Sequence, residues 1–174
     1  MNDAEESVVY FAYGANVHPA WLRRRIPDAI LLGPGTLPGH RLAFRKRGRD
    51  GAARSDACPS SAPGATLPGA LYRVRKAALQ ELGAAAAGYQ ARQVRVEAAA
   101  GPVQAVAWFA APGDVDASLL PWDWYLALVR AGAELVGLPA AHQRWLAGVP
   151  SSVDPDEARA APARAILAAL PGDG

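Results

Sequence analysis

The chain has 174 residues, 51% of them hydrophobic, and its 18 basic and 16 acidic side chains leave a net charge of only +2. This is one ordinary domain, long enough to hide roughly 70% of its unfolded surface, and so small a charge excess gives no argument for nucleic acid as a partner. A single cysteine, Cys58, excludes an internal disulfide framework, and no stretch has the length of a membrane span.

The start, MNDAEESVVY, is acidic and then strand-like, without the basic and then apolar order of a leader, so the expectation is a cytoplasmic protein. Val8-Val9-Tyr10-Phe11 reads as a buried strand, because branched and aromatic side chains fit a pleated surface. The strand breaks at Tyr13-Gly14-Ala15-Asn16, a loop in which Gly14 allows close approach to the main chain and Asn16 favours a turn. Such a loop suits either an ordinary turn or backbone N–H groups presented to a small polar ligand.

From His18 to Arg25 the pattern is a short helix with Pro19 in its first turn and arginines at its negative end. Ala29–Leu32 reads as a strand ended by Gly33-Pro34-Gly35, and His40–Lys46 as a strand with one wet face. The cluster Arg45, Lys46, Arg47 and Arg49 has no interleaved aromatics, and the preferred reading is a solvated strand end rather than a DNA-binding patch. Gly48 to Gly64 is rich in Gly, Ser, Pro and Ala without a period, which predicts a long loop. Cys58 falls in it with no His or acid at a recognisable spacing, against a nucleophilic role.

Pro63–Val74 is a strand with Leu67, Ala70, Leu71 and Val74 available to the core, and Lys76–Ala86 a helix of good helix formers. Leu79, Leu82 and Ala86 share one face of it. Tyr89–Glu97 and Val103–Ala110 form a hairpin, Val94 and Val96 pointing inward. The longest helix begins near Pro121. Tyr125, Leu128, Val129, Gly132 and Val136 make its apolar stripe, and Gly137 and Pro139 stop it. Beyond Pro150, Asp154-Pro155 looks like an N-cap with Pro at N1, leading to Ala163–Leu170 as a closing helix or a partner-binding tail. His18, His40 and His142 show no metal spacing, and no cofactor or metal is expected.

Four segments resemble one known family. YFAYGAN is similar to the Y-F-x-Y-G-S-N-L loop of the γ-glutamylcyclotransferase-like family, and RIPDAILLGPGTLPGHRLAF to its R-x-P-x-A-x-L-L-G-x-A-x-L-P-G-Y-R-L-x-F segment. PGATLPGALYRV resembles P-G-x-x-V-x-G-V-L-Y-x-V, and PWDWYLALVRAGAELVGLPAAHQRWL resembles P-S-x-x-Y-L-x-L-I-x-x-G-A-x-x-x-G-L-P-x-x-Y. The resemblance covers about residues 8 to 146. It implies an α+β fold, a small mixed β-barrel with packed helices, over a domain 1–150, followed by a Pro/Ala-rich extension 151–174.

The resemblance also implies a chemistry. The free amine of a γ-glutamyl amide attacks its own γ-carbonyl, closes a five-membered ring and expels an amine, leaving 5-oxoproline, and a carboxyl beside both nitrogens shuttles the proton. The family carries that glutamate in L-x-x-L-D-x-x-E-G. Here the register puts Gly83 where the family has Asp and Ala86 where it has Glu, so the carboxyl is missing. Glu81 should face water, and Glu97 falls at an exposed strand end. The implied ligand site is the Tyr13, Gly14, Ala15 and Asn16 loop with Tyr89 and Tyr125. Arg92 is a further rim candidate, and read from the residues alone Tyr89, Arg92 and Tyr125 serve as well in a structural role. Three origins stay open for Ala86: a relative that binds without cyclising, a different chemistry, or an engineered knockout. The functional alternatives are a cyclotransferase or its disabled form acting on a γ-glutamyl-type small molecule, and a non-catalytic metabolite-binding or protein-interaction module, as monomer or homodimer.

Overall fold

The computed structural model describes residues 6–169; the acidic start, residues 1–5, and Leu170 at the end of the expected closing helix lie outside them. Five strands close into a barrel in the order β1-β5-β2-β6-β7: β1 (Ser7–Ala12), β2 (Ile30–Pro38), β5 (Thr66–Arg75), β6 (Tyr89–Ala98) and β7 (Gly101–Ala110). Neighbours are antiparallel except at the closing seam, where β1 meets β7 in parallel at Tyr10 and Val106. The sheet is thus mixed, and closure removes the exposed edges that an open sheet would carry. A separate two-stranded hairpin is made by β3 (His40–Arg47) and β4 (Ala53–Pro59).

The α+β barrel agrees with the expected fold, and most elements stand where the pattern put them. Leu67, Ala70, Leu71 and Val74 are all buried on β5. The first helix, α1, is Pro19–Arg23 with Pro19 in its first turn, shorter than the span from His18 to Arg25. The second, α2, is Lys76–Ala85, with Ala86 as its C-cap. Helix α3 (Asp123–Val136) buries the whole stripe from Tyr125 to Val136 and ends at Gly137, whose φ of 75° is the left-handed C-cap geometry that favours glycine. Gly132 lets α3 lie against the chain that leaves β1, since a β-carbon there would stand 2.6 Å from the His18 backbone nitrogen. The His18 ring is held in the same interface, buried, with neither nitrogen finding a partner among the described residues. Burial lowers its pKa, which favours the neutral ring.

Four expectations are corrected. The Gly33-Pro34-Gly35 break is no break: β2 runs through it, with a register shift between Leu31 and Gly33 absorbing the irregularity. Gly35 is needed there because a β-carbon would press to 2.6 Å from Val96 and 3.0 Å from Leu71. The loop from Gly48 to Gly64 contains strand β4, paired with β3 from His40–Pro59 to Arg47–Ala53. Its Ser55 and Asp56 are buried rather than solvated, and Cys58 sits inside the strand, its thiol pushed up chiefly by burial.

At the C-terminus the N-cap is Asp156, which accepts from the Arg159 backbone N–H and opens helix α5 (Glu157–Ala168). Asp154, the expected cap, instead lies buried and accepts from Trp124 Nε1 at 2.7 Å and from Arg159 Nε at 2.7 Å. Arg159 above all, and the indole secondarily, hold the Asp154 carboxyl far below the usual carboxylate range. Ala160 and Ala163 are fully buried, and Arg164 reaches Asp123 of α3, so α5 is packed on the same core as the barrel. The remaining helix, α4 (Ala140–Ala147), is tied to α3 by Arg130, which donates to the carbonyls of Leu146, Ala147 and Val149.

The basic cluster at the end of β3 is the fourth correction. Arg45 pairs with Asp56 at 2.8 Å and Arg47 with Asp116 at 3.5 Å, whereas Lys46 is 5% exposed, so the cluster is not a uniformly solvated strand end.

Candidate functional site

A cavity of about 480 Å³ opens at the barrel end where β1 leaves the sheet. Its walls come from the turn after β1, from α1, the β3–β4 hairpin, the end of α2, α3 and α5. Tyr13, Gly14, Ala15 and Asn16 all line it, together with Tyr89, Tyr125 and Ala86. Every residue singled out from the sequence as a site candidate therefore borders one space, except Arg92, whose guanidinium lies over the Phe109 ring outside it. Glu81 and Glu97 are exposed and also lie outside, and among the described residues the lining contains no Asp or Glu at all.

The Tyr13–Asn16 stretch is a turn with a structural reason for its glycine. Ala15–Val17 form one turn of 3-10 helix, closed by Val17 N–H to Gly14 O and His18 N–H to Ala15 O. The N–H groups of the first residues stand outside that ladder, as at any helix start. A β-carbon on Gly14 would fall 2.0 Å from Ser55 Oγ and 2.9 Å from the Tyr125 hydroxyl. Only a residue without a side chain lets the hairpin and α3 meet the turn so closely.

Those two groups form the floor of the cavity. Tyr125 Oη lies 2.8 Å from Ser55 Oγ and accepts from the Ser55 backbone N–H at 3.1 Å, while Tyr89 donates to the Ser55 carbonyl at 2.6 Å. Asn16 Nδ2 donates to Tyr10 Oη at 3.1 Å, and the Tyr13 hydroxyl donates to the Trp108 carbonyl. Burial pushes the Tyr10 phenol up to about 12 and, as the chief cause, those of Tyr13 and Tyr89 well above their ordinary value. These hydroxyls are therefore neutral near pH 7 and act as hydrogen-bonding groups, not as bases.

Position 86, the C-cap of α2, borders the same cavity. Leu82, Ala85, Ala86 and Ala87 all border the cavity. Beside them lies Lys46, whose ammonium donates to the Ala87 carbonyl at 2.6 Å and to the Arg47 carbonyl at 2.7 Å, 5.1 Å from the Tyr89 ring centre. A cation at the carbonyl end of a helix is favourably placed. Burial lowers the Lys46 pKa, and Asp114 pulls it partly back without making an ion pair.

Gly83 is explained by Trp108. A β-carbon at Gly83 would stand 2.1 Å from the indole ring, so the indole of β7 occupies the space that a side chain on this turn of α2 would take. Trp108 lines the cavity, and its buried Nε1 has no acceptor among the described residues. Replacing Gly83 with Asp should displace that ring and cost about 1–3 kcal/mol by overpacking. Urea unfolding of the variant, compared at equal m-value, checks it.

Sequence reasoning misses Ser55, Trp108, Arg54 and Arg159. Ser55 and Arg54 stand in a stretch whose composition is that of a loop. Arg159 lies beyond the resemblance, on a helix that only the packed structure brings to the cavity. No group of three or more His, Cys, Asp or Glu side chains that could hold a metal ion occurs among the described residues, and none of their helices is long and apolar enough to cross a membrane.

No protein-family model matches the sequence, and no curated protein matches it by sequence. Solved structures do match in three dimensions. One named as a gamma-glutamyl cyclotransferase superposes with a TM-score of 0.80 at 21% identity, covering 94% of this chain and 99% of that one. An uncharacterised protein from Homo sapiens gives 0.78 at 21% identity over 94% and 99% of the two chains. YkqA from Bacillus subtilis gives 0.67 at 24% identity, over 84% of this chain but only 56% of the other. From the first strand to the last helix, the chain has the fold of the γ-glutamyl cyclotransferases.

Proposed function

We propose that the chain binds a γ-glutamyl-type amide in the barrel-mouth cavity and, as it stands, does not cyclise it by the carboxylate route. The observation that carries this reading is the composition of the wall: a tyrosine, serine and asparagine floor at the Gly14 turn, opposite the end of α2, with no acidic side chain on the lining. In this reading the turn N–H groups and nearby cations hold the α-carboxylate of the ligand. Asn16, Tyr89 and Tyr125 orient its polar atoms, and position 86 is the place from which a proton carrier would act.

Cyclisation needs a group that takes a proton from the attacking ammonium and returns one to the leaving nitrogen. The Tyr13 and Tyr89 phenols are held neutral, the Lys46 ammonium is committed to two backbone carbonyls, and Ser55 is already engaged with Tyr125. What remains is binding and orientation, which by themselves hold the amine near the γ-carbonyl but leave the proton transfer unassisted. The reading also includes a cytoplasmic location and a ligand that is a small molecule rather than a macromolecule. The alternative, a protein-interaction module, has no comparable observation in its favour.

Isothermal titration calorimetry with γ-glutamyl amides, paired with chromatographic assay for 5-oxoproline after prolonged incubation, tests the proposal. The expected result is saturable binding without product. Product release at the rate of an active cyclotransferase would remove the claim of inactivity, and absence of binding by every γ-glutamyl compound would remove the ligand assignment.

A further inference from the structure

The cavity wall carries six cationic side chains: Arg24, Arg25, Lys46, Arg49, Arg54 and Arg159. Two of them are balanced. Arg54 donates to Asp50 at 2.6 Å, and Arg159 is paired with Asp154 and Asp50. The other four have no ion pair among the described residues: Arg24 lies over the Trp21 ring at 4.7 Å, Lys46 donates only to carbonyls, and Arg25 and Arg49 are exposed.

This charge is concentrated, since the whole chain has a net charge of only +2. A γ-glutamyl amide of an uncharged amine is a zwitterion. Its α-carboxylate would satisfy one cation, and its α-ammonium would add another positive charge to a wall that holds no acid. Cavities lined by one sign of charge raise the local concentration of the opposite ion, and arginines give bidentate hydrogen bonds to carboxylate and phosphate.

We infer that the cavity selects a ligand carrying an excess of at least two negative charges. Resting on the γ-glutamyl reading above, these charges lie on the amine half, as a phosphate monoester or a pair of carboxylates. That half would reach toward Arg24 and Arg25 of the α1 end and Arg49 of the hairpin turn. The amine that such a ligand bears is thus itself an anion, not an aliphatic or cationic amine.

The test is calorimetry on the full chain with four probes: γ-glutamylethylamide, with no net charge, γ-glutamylalanine, and the doubly anionic γ-glutamylglutamate and γ-glutamylphosphoethanolamine, with inorganic pyrophosphate as a fifth, separate titrant. The expected result is that at least one doubly anionic compound binds about tenfold or more tightly than the ethylamide. That advantage should be largely lost in an Arg25→Ala/Arg49→Ala variant and in high salt. The dicarboxylate and phosphate arms tell which anion is preferred. Equal affinity for all four γ-glutamyl probes overturns the charge selectivity and leaves the γ-glutamyl reading standing. Binding of pyrophosphate with no binding of any γ-glutamyl probe supports the anion site and overturns that reading. No binding of any titrant overturns both.

Discussion

Ala86→Glu is expected to convert the chain from a binder into a measurable cyclotransferase, with 5-oxoproline release from a bound γ-glutamyl amide rising by about 10²–10⁴, or roughly 3–5 kcal/mol of barrier. Position 86 caps α2 and borders the cavity, so a side chain longer than alanine's by one methylene and a carboxyl has open space to enter. The Lys46 ammonium, 2.6 Å from the carbonyl of the next residue, would hold that carboxyl ionised and ready to accept a proton. The gain should therefore appear above the acidic range and fall away as the pH drops and the carboxyl takes up a proton. Ala86→Gln, which fills the same space without a titratable group, should bind like the parent and release nothing. Equal activity in the two variants would show that volume rather than proton transfer was at issue.

Trp124→Ala should be the costliest single truncation for the site's framework, about 3–5 kcal/mol for a buried aromatic residue. In a chain of this length that is roughly a 10 °C fall in melting temperature. Trp124 is 6% exposed, packs beside Trp21 at 5.9 Å between ring centres, and lines the cavity. It also donates to Asp154, the acid that fixes Arg159. Its loss would leave a void under α1 and free the α5 arginine from one side of its anchor. Trp124→Phe separates the two contributions, keeping most of the packing and removing the indole N–H. It should cost much less in thermal unfolding and still loosen ligand binding through Arg159. A binding constant unchanged in Trp124→Phe would confine the residue to a packing role.

How much of the fold and site is legible in the sequence depends on what each residue buries. β1, β5 and β6 can be read because Val, Tyr, Phe and Leu stand at strand spacing and face the core. β4 cannot: Arg54, Ser55 and Asp56 are residues of loops by composition, and they form a strand because their polar groups are paired inside. Asp56 Oδ1 accepts from the Ala110 backbone N–H at 2.9 Å, and its Oδ2 from Arg45. The Gly33-Pro34-Gly35 run looks like punctuation, yet the sheet crosses it, because Gly35 faces Val96 and Leu71 where a side chain would not fit. The placement of Ala86 rests on the resemblance to a helix motif. Periodicity alone puts it on the face shared by Leu79 and Leu82 but gives no reason to expect a cavity there. Lys46 is hidden within a run of exposed-looking cations, because charge in a sequence says nothing about which member of the run turns inward.

The β3–β4 hairpin stands outside the closed hydrogen-bond circuit of the barrel, although it supplies Lys46, Arg49, Arg54 and Ser55 to the cavity. Its ladder is its own, and it is fastened to the rest by main-chain bonds outside the ring, Ala53 N–H to the Leu120 carbonyl and Asp116 N–H to the Arg45 carbonyl, and by Leu42 and Ala57 in the core. The polar wall of the cavity and the closed ring of strands are thus largely different parts of the chain, so the lining can change without a change in the ring's own ladder.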